Sequence, residues 1–88
     1  MKIVIEPHTL SRAAERGASE LEIIEVINSG FDIPAKNKRF GKAKVFNFND
    51  LRNNKFYEQK RIEIIYTIED DLIVTVTVYV FYGKWSNL

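Results

Sequence analysis

Leu72-Ile73-Val74-Thr75-Val76-Thr77-Val78-Tyr79-Val80-Phe81-Tyr82 is the stretch that decides the fold. Its alternation puts Leu72, Val74, Val76, Val78, Val80 and Tyr82 on one face of a strand and Ile73, Thr75, Thr77, Tyr79 and Phe81 on the other. An all-valine face belongs against helices, and the partners expected for Val74, Val76, Val78 and Val80 are Leu10, Leu21, Ile24 and Ile27. The strand before it, Lys60 to Glu69, alternates in the same way, and Asp70-Asp71 between the two is a hairpin signal.

Upstream, Lys42 to Asn49 holds Val45, Phe46 and Phe48 and predicts a further strand, with Asn49-Asp50 and Asn53-Asn54 marking a turn region. The N-terminal part follows helical spacing instead. Lys2-Ile3-Val4-Ile5 is a short strand, and Pro7 suits the first position of a helix that runs to Arg16 and ends at Gly17. Ser19 and Glu22 form a capping box that opens a second helix, which Gly30 closes; Leu21, Ile23, Ile24, Val26 and Ile27 give it a broad apolar face. The order β-α-α-β-β-β describes an α+β sandwich of two N-terminal helices packed on an antiparallel sheet. With 88 residues and 10.3 kDa, residues 1–88 make one domain.

Hydrophobic residues at 45% and charged residues at 28% are an ordinary globular balance. The absence of cysteine excludes disulfides, thiolate metal sites and a Cys nucleophile. The longest apolar run, Leu72 to Tyr82, falls short of the roughly 18 residues of a membrane helix. Met1 to Pro7 lacks the features of a secretory signal, so no membrane association and a cytoplasmic location are expected.

Net charge is only +1, but it is unevenly placed. Residues 1–35 carry three basic and six acidic side chains, net −3; residues 36–61 carry nine basic and two acidic, net +7; residues 62–88 carry one basic and four acidic, net −3. The central block is the footprint of a phosphate-binding surface or, equally, a solvated edge kept from aggregating by its lysines.

His8 is the one histidine and stands on the polar face of the first helix. His8, Arg12 and Arg16 follow at i, i+4 and i+8, a stripe in which a base and two cations address one phosphodiester, or in which an exposed polar face pairs Glu15 with an arginine. A metal site has little support, since carboxylates alone would have to build it. Gly17, Gly30, Gly41 and Gly83 are isolated, which excludes a phosphate-cradling glycine loop, and Ser11, Ser19, Ser29 and Ser86 lack the context of a serine nucleophile. No cofactor is expected.

His8-x3-Arg12-x3-Arg16-Gly17-Ala18-Ser19, Gly30, Pro34-Ala35-Lys36, Phe46-Asn47-Phe48, Tyr57-x2-Lys60-x2-Glu63 and Thr75-Val76-Thr77-Val78-Tyr79 together resemble a small prokaryotic domain-of-unknown-function family. That family looks related to the RelE and BrnT toxins and, more remotely, to the barnase and colicin-type ribonuclease fold. The resemblance implies a RelE/BrnT-like fold, metal-independent RNA cleavage, and candidate active-site roles for His8 and Arg12. It departs after Gly41, where Lys42-Ala43-Lys44 stands in place of an expected arginine; lysine keeps the charge and loses the bidentate fork.

The leading expectation is a toxin-like endoribonuclease of a toxin-antitoxin type system, with RNA as substrate and a cognate antitoxin protein as partner. His8 is assigned as base, Arg12 and Arg61 as phosphate stabilisers, and Lys60 or Tyr79 as acid. Lys36, Arg39, Lys42 and Lys44 would guide RNA, with Phe40 or Tyr57 for stacking. The rival is a non-catalytic protein- or RNA-binding module. For it, Phe81-Tyr82-Gly83-Lys84-Trp85 anchors a partner or a homodimer, or else lies over its own core.

Overall fold

A computed structural model of the chain describes residues 1–85; Ser86 lies outside them. The elements are β1 (Lys2–Val4), α1 (Pro7–Arg16), α2 (Glu20–Ser29), β2 (Phe31–Ile33), β3 (Phe40–Arg52), β4 (Lys55–Glu69) and β5 (Leu72–Gly83). They form the expected α+β arrangement, two helices on one five-stranded sheet of order β1-β5-β4-β3-β2.

The sheet is mixed. β2 to β5 are antiparallel, and β1 joins the outer side of β5 in parallel, Lys2 opposite Leu72 and Val4 opposite Val74. Hairpins impose the antiparallel pairs: Asn53-Asn54 and Asp70-Asp71 are two-residue turns whose four residues all have positive φ, the geometry that matches strand twist. β1 has no hairpin link to β5 and is free to run beside it in parallel. The β3–β4 hairpin is longer than the sequence suggests. A register shift between Asn47 and Asp50, with Asn49 at φ 48°, carries the strands past Asn49-Asp50 to Asn53-Asn54, the second of the two pairs expected to turn.

The valine stripe does not stay on one face. Val78 pairs with Ile64 and is fully buried, and Val80 packs on the same core. A bulge then intervenes, since Ile65 faces Thr77 but Tyr66 faces Thr75, and the extra residue, Val76, reverses the alternation. Ile73 and Thr75 therefore replace Val74 and Val76 under the helices. Thr75 has a reason to be there: its Oγ1 accepts from the Glu6 N–H at 3.0 Å and donates to Thr9 Oγ1 at 3.1 Å, seating the start of α1.

The core gathers Ala13, Ala18, Ile23, Val26 and Ile27 of the helical layer against Ile62, Ile64, Tyr66 and Val78 of the sheet. Leu21 is not part of it, being 78% exposed; two residues before Ile23 it lies about 200° round the helix from the buried face. Ile24 is half-buried.

The capping box forms as expected: Ser19 Oγ accepts from Glu22 N–H, and Glu22 Oε1 accepts from Ser19 N–H. At the end of α1, Gly17 takes φ 92°, and a Cβ there would run into the Tyr82 hydroxyl. Three successive carbonyls at this end receive donors from the sheet. Arg52 Nη2 reaches Glu15 O at 2.6 Å, Tyr82 Oη reaches Arg16 O at 2.7 Å, and Lys60 Nζ reaches Gly17 O at 2.8 Å. Two of the three donors are cations, which also suits the negative end of the helix dipole.

Candidate functional site

Both helices cover one side of the sheet and leave the other side open. On β4 the period of two sends Lys60, Ile62 and Ile64 towards the helices and Arg61, Glu63 and Ile65 to the open side. Thr77, Tyr79 and Phe81 of β5 pair with Ile65, Glu63 and Arg61 and share that side. Phe31 and Ile33 of β2, opposite Ala43 and Gly41, complete it.

The segment from Pro34 to Arg39 closes one end of this face into a cleft. Its volume is about 300 Å³, and its lining includes Lys36 and Arg39 from the loop and Glu63, Ile65, Thr77 and Tyr79 from the sheet. Asn37 and Lys38, both at φ 59°, turn the loop back. Gly41 lets it approach, because a Cβ there would press on Ile33 from 2.7 Å. Within the cleft wall Arg61 Nε donates to Glu63 Oε2 at 2.9 Å; Oε1 remains to accept a second donor.

The predicted site residues fall in three places. Lys36, Arg39 and Tyr79 line the cleft, with Arg61 behind Glu63. His8 and Arg12 are exposed on α1, outside the cleft lining. Beyond Val74, β5 has no strand on its outer side among the described residues, and α1 supplies donors to that edge: His8 Nε2 lies 3.1 Å from Val76 O, and Arg16 Nη1 donates to Val78 O. A carbonyl only accepts, so in the neutral ring Nε2 carries the hydrogen and Nδ1 keeps the free lone pair.

The third group is on the helix side. Lys60 is 7% exposed, bonded to Gly17 O and the Glu22 carboxylate. Lys42 pairs with Asp32 at 2.6 Å, which holds its ammonium above the usual lysine range. Lys44 pairs with Glu25 at 2.7 Å and donates to Ser29. Tyr57 is half-buried, its ring 5.6 Å from that of Tyr82, and Phe40 stacks on Tyr66.

No family model, curated protein or solved structure matches this chain. Among the described residues no three His, Asp or Glu side chains gather where a metal ion would be held, and no helix is long and apolar enough to cross a membrane. The Trp85 backbone N–H donates to Gln59 Oε1 at 2.6 Å, and the edge of its ring lies beside Gly83. Glu63 had no catalytic assignment from sequence, yet the signal existed. It is two residues from Arg61 on the strand face that carries Tyr79 across the hairpin.

Proposed function

We propose that the chain is a toxin-like, metal-independent endoribonuclease that takes RNA in the open-face cleft. The observation that carries this is the meeting of Lys36 and Arg39 with Glu63 and Tyr79 around one space of about 300 Å³. Cleavage by the RNA's own 2′-hydroxyl requires a proton acceptor, cations on the phosphate and a proton donor, and these four side chains supply all three.

In this reading the Glu63 carboxylate takes the 2′-hydroxyl proton. The O2′–P bond forms while the P–O5′ bond breaks, Arg39 and Lys36 balance the charge on the phosphoryl oxygens, and the Tyr79 phenol protonates O5′. The products are a 2′,3′-cyclic phosphate and a 5′-hydroxyl, and solvent then moves the proton from Glu63 back to Tyr79. Arg61 positions Glu63 through its Nε bond. A toxin of this kind would be restrained by a cognate antitoxin protein lying over the open face.

The test is cleavage of mixed-sequence RNA with analysis of the ends. Cyclic phosphate ends are expected, DNA should resist, chelator should leave the rate unchanged, and Glu63→Gln should lower kcat by about 100-fold or more. Full activity in Glu63→Gln, or loss of activity with chelator, overturns the mechanism. One observation favours the binding-module reading: Phe31, Tyr79 and Phe81 stand exposed together on the open face. RNA affinity without cleavage or growth arrest on expression would select it.

A further inference from the structure

The open face continues along β5 from the cleft residues Thr77 and Tyr79 to Phe81. Thr77, Tyr79 and Phe81 follow at every second residue, about 6–7 Å apart. Tyr79 is 44% and Phe81 47% exposed, and their rings lie 6.4 Å apart with planes 26° from parallel. Phe81 is opposite Arg61, whose guanidinium lies 5.1 Å from the ring of Phe31. Two rings exposed side by side make an apolar patch that is open to a ligand.

Charge indicates which occupant. The ion pairs among the described residues engage Lys42, Lys44, Lys60, Arg61 and Lys84, and leave Lys36, Lys38 and Arg39 unpaired beside the cleft. A surface with free cations at the cleft and a flat π-face just past it complements a chain that alternates phosphates with flat bases. Duplex RNA hides those base faces, whereas a single strand presents them.

We propose that Phe81, next along the strand from the cleft residue Tyr79, is a base-stacking platform for unpaired nucleotides adjoining the phosphate in the cleft, which makes single-stranded RNA the substrate class. The proposal rests on the cleft being a phosphodiester site. The platform adds binding outside the reacting atoms, so Phe81 contributes to affinity for a strand and not to the chemical step.

The experiment is anisotropy titration with a labelled, uncleavable 2′-O-methyl single strand, the same strand made abasic, and a duplex. The intact strand should bind most tightly. Removing the bases, or Phe81→Ala, should each weaken binding about 5- to 100-fold, the two together should add little, and Phe81→Tyr should restore affinity. Reversing the loop charges with Lys36→Glu and Arg39→Glu should weaken the intact and abasic strands alike and flatten the salt dependence. Unchanged affinity in Phe81→Ala, or equal affinity for the abasic strand, overturns the platform and leaves the cleft reading standing if charge reversal still acts. Charge reversal without effect overturns the cleft reading itself. A dimer that Phe81→Ala dissociates without altering RNA affinity assigns the rings to a second copy and also overturns the platform.

Discussion

Tyr82 shows how much one side chain at the junction of helix and sheet carries. Its hydroxyl donates to Arg16 O, its ring meets Phe48 at 5.1 Å and Tyr57 at 5.6 Å, and the Arg52 guanidinium lies 5.4 Å from it. Burial raises its pKa above the ordinary tyrosine value of 10.0; Arg52 opposes that shift and Glu22 adds to it. A folded-state pKa above the unfolded one favours the fold while the phenol is protonated. That contribution is complete below pH 10 and is lost as pH rises through the folded value. Lys42, raised by Asp32, loses its contribution over the alkaline range above 10.5 in the same way. Alkaline denaturation should therefore steepen above about pH 10. Tyr82→Phe should flatten that limb while costing about 1 kcal/mol at neutral pH for the lost hydrogen bond. Tyrosinate absorbance should show one late-titrating tyrosine that is missing in the variant. An unchanged alkaline limb would rule out this role.

At the scale of elements, helix boundaries were legible because single residues mark them: Pro7, Gly17, Ser19 with Glu22, and Gly30 all stand where the helices begin and end. The hairpin turn at Asp70-Asp71 was legible for the same reason. The bulge in β5 was not, because Val-Thr-Val-Thr-Val repeats without a break and the extra residue leaves no mark in hydropathy. Contacts with distant residues decide it, through Thr75 meeting Thr9 and the Glu6 N–H. Thr75→Val keeps the shape and strands two polar groups, so a loss of about 1–3 kcal/mol in denaturant stability is expected. A variant as stable as the parent would mean that valine packing, not this pair of bonds, places the bulge. β2 escaped sequence reading although β1 of the same length did not: Ile3-Val4-Ile5 is a run of β-branched residues, whereas Phe31-Asp32-Ile33 follows directly on Gly30 and centres on an aspartate, a residue depleted in strands.

Across the whole molecule, the central charge block divides between two surfaces. Its local net charge of +7 overstates what a ligand meets, since Asp32, Glu25 and Glu22 occupy Lys42, Lys44 and Lys60 on the helix side. Lys36, Lys38 and Arg39 remain without an ion pair beside the cleft, Arg52 and Lys55 stand at the far β3–β4 hairpin, and adjacent residues such as Lys60 and Arg61 lie on opposite sides of the sheet. Composition showed the block, and only the sheet's two-sidedness separates its structural members from those open to a ligand. The same separation applies to the candidate bases, with His8 against the outer edge of β5 and Glu63 in the cleft wall. The most direct test is a titration of the isotope-labelled protein with an uncleavable 2′-O-methyl dinucleotide, followed by NMR chemical shifts. Shifts are expected at Lys36, Arg39, Glu63, Thr77 and Tyr79 with His8 and Arg12 unmoved; shifts confined to His8, Arg12 and Arg16 would contradict a phosphodiester site in the cleft.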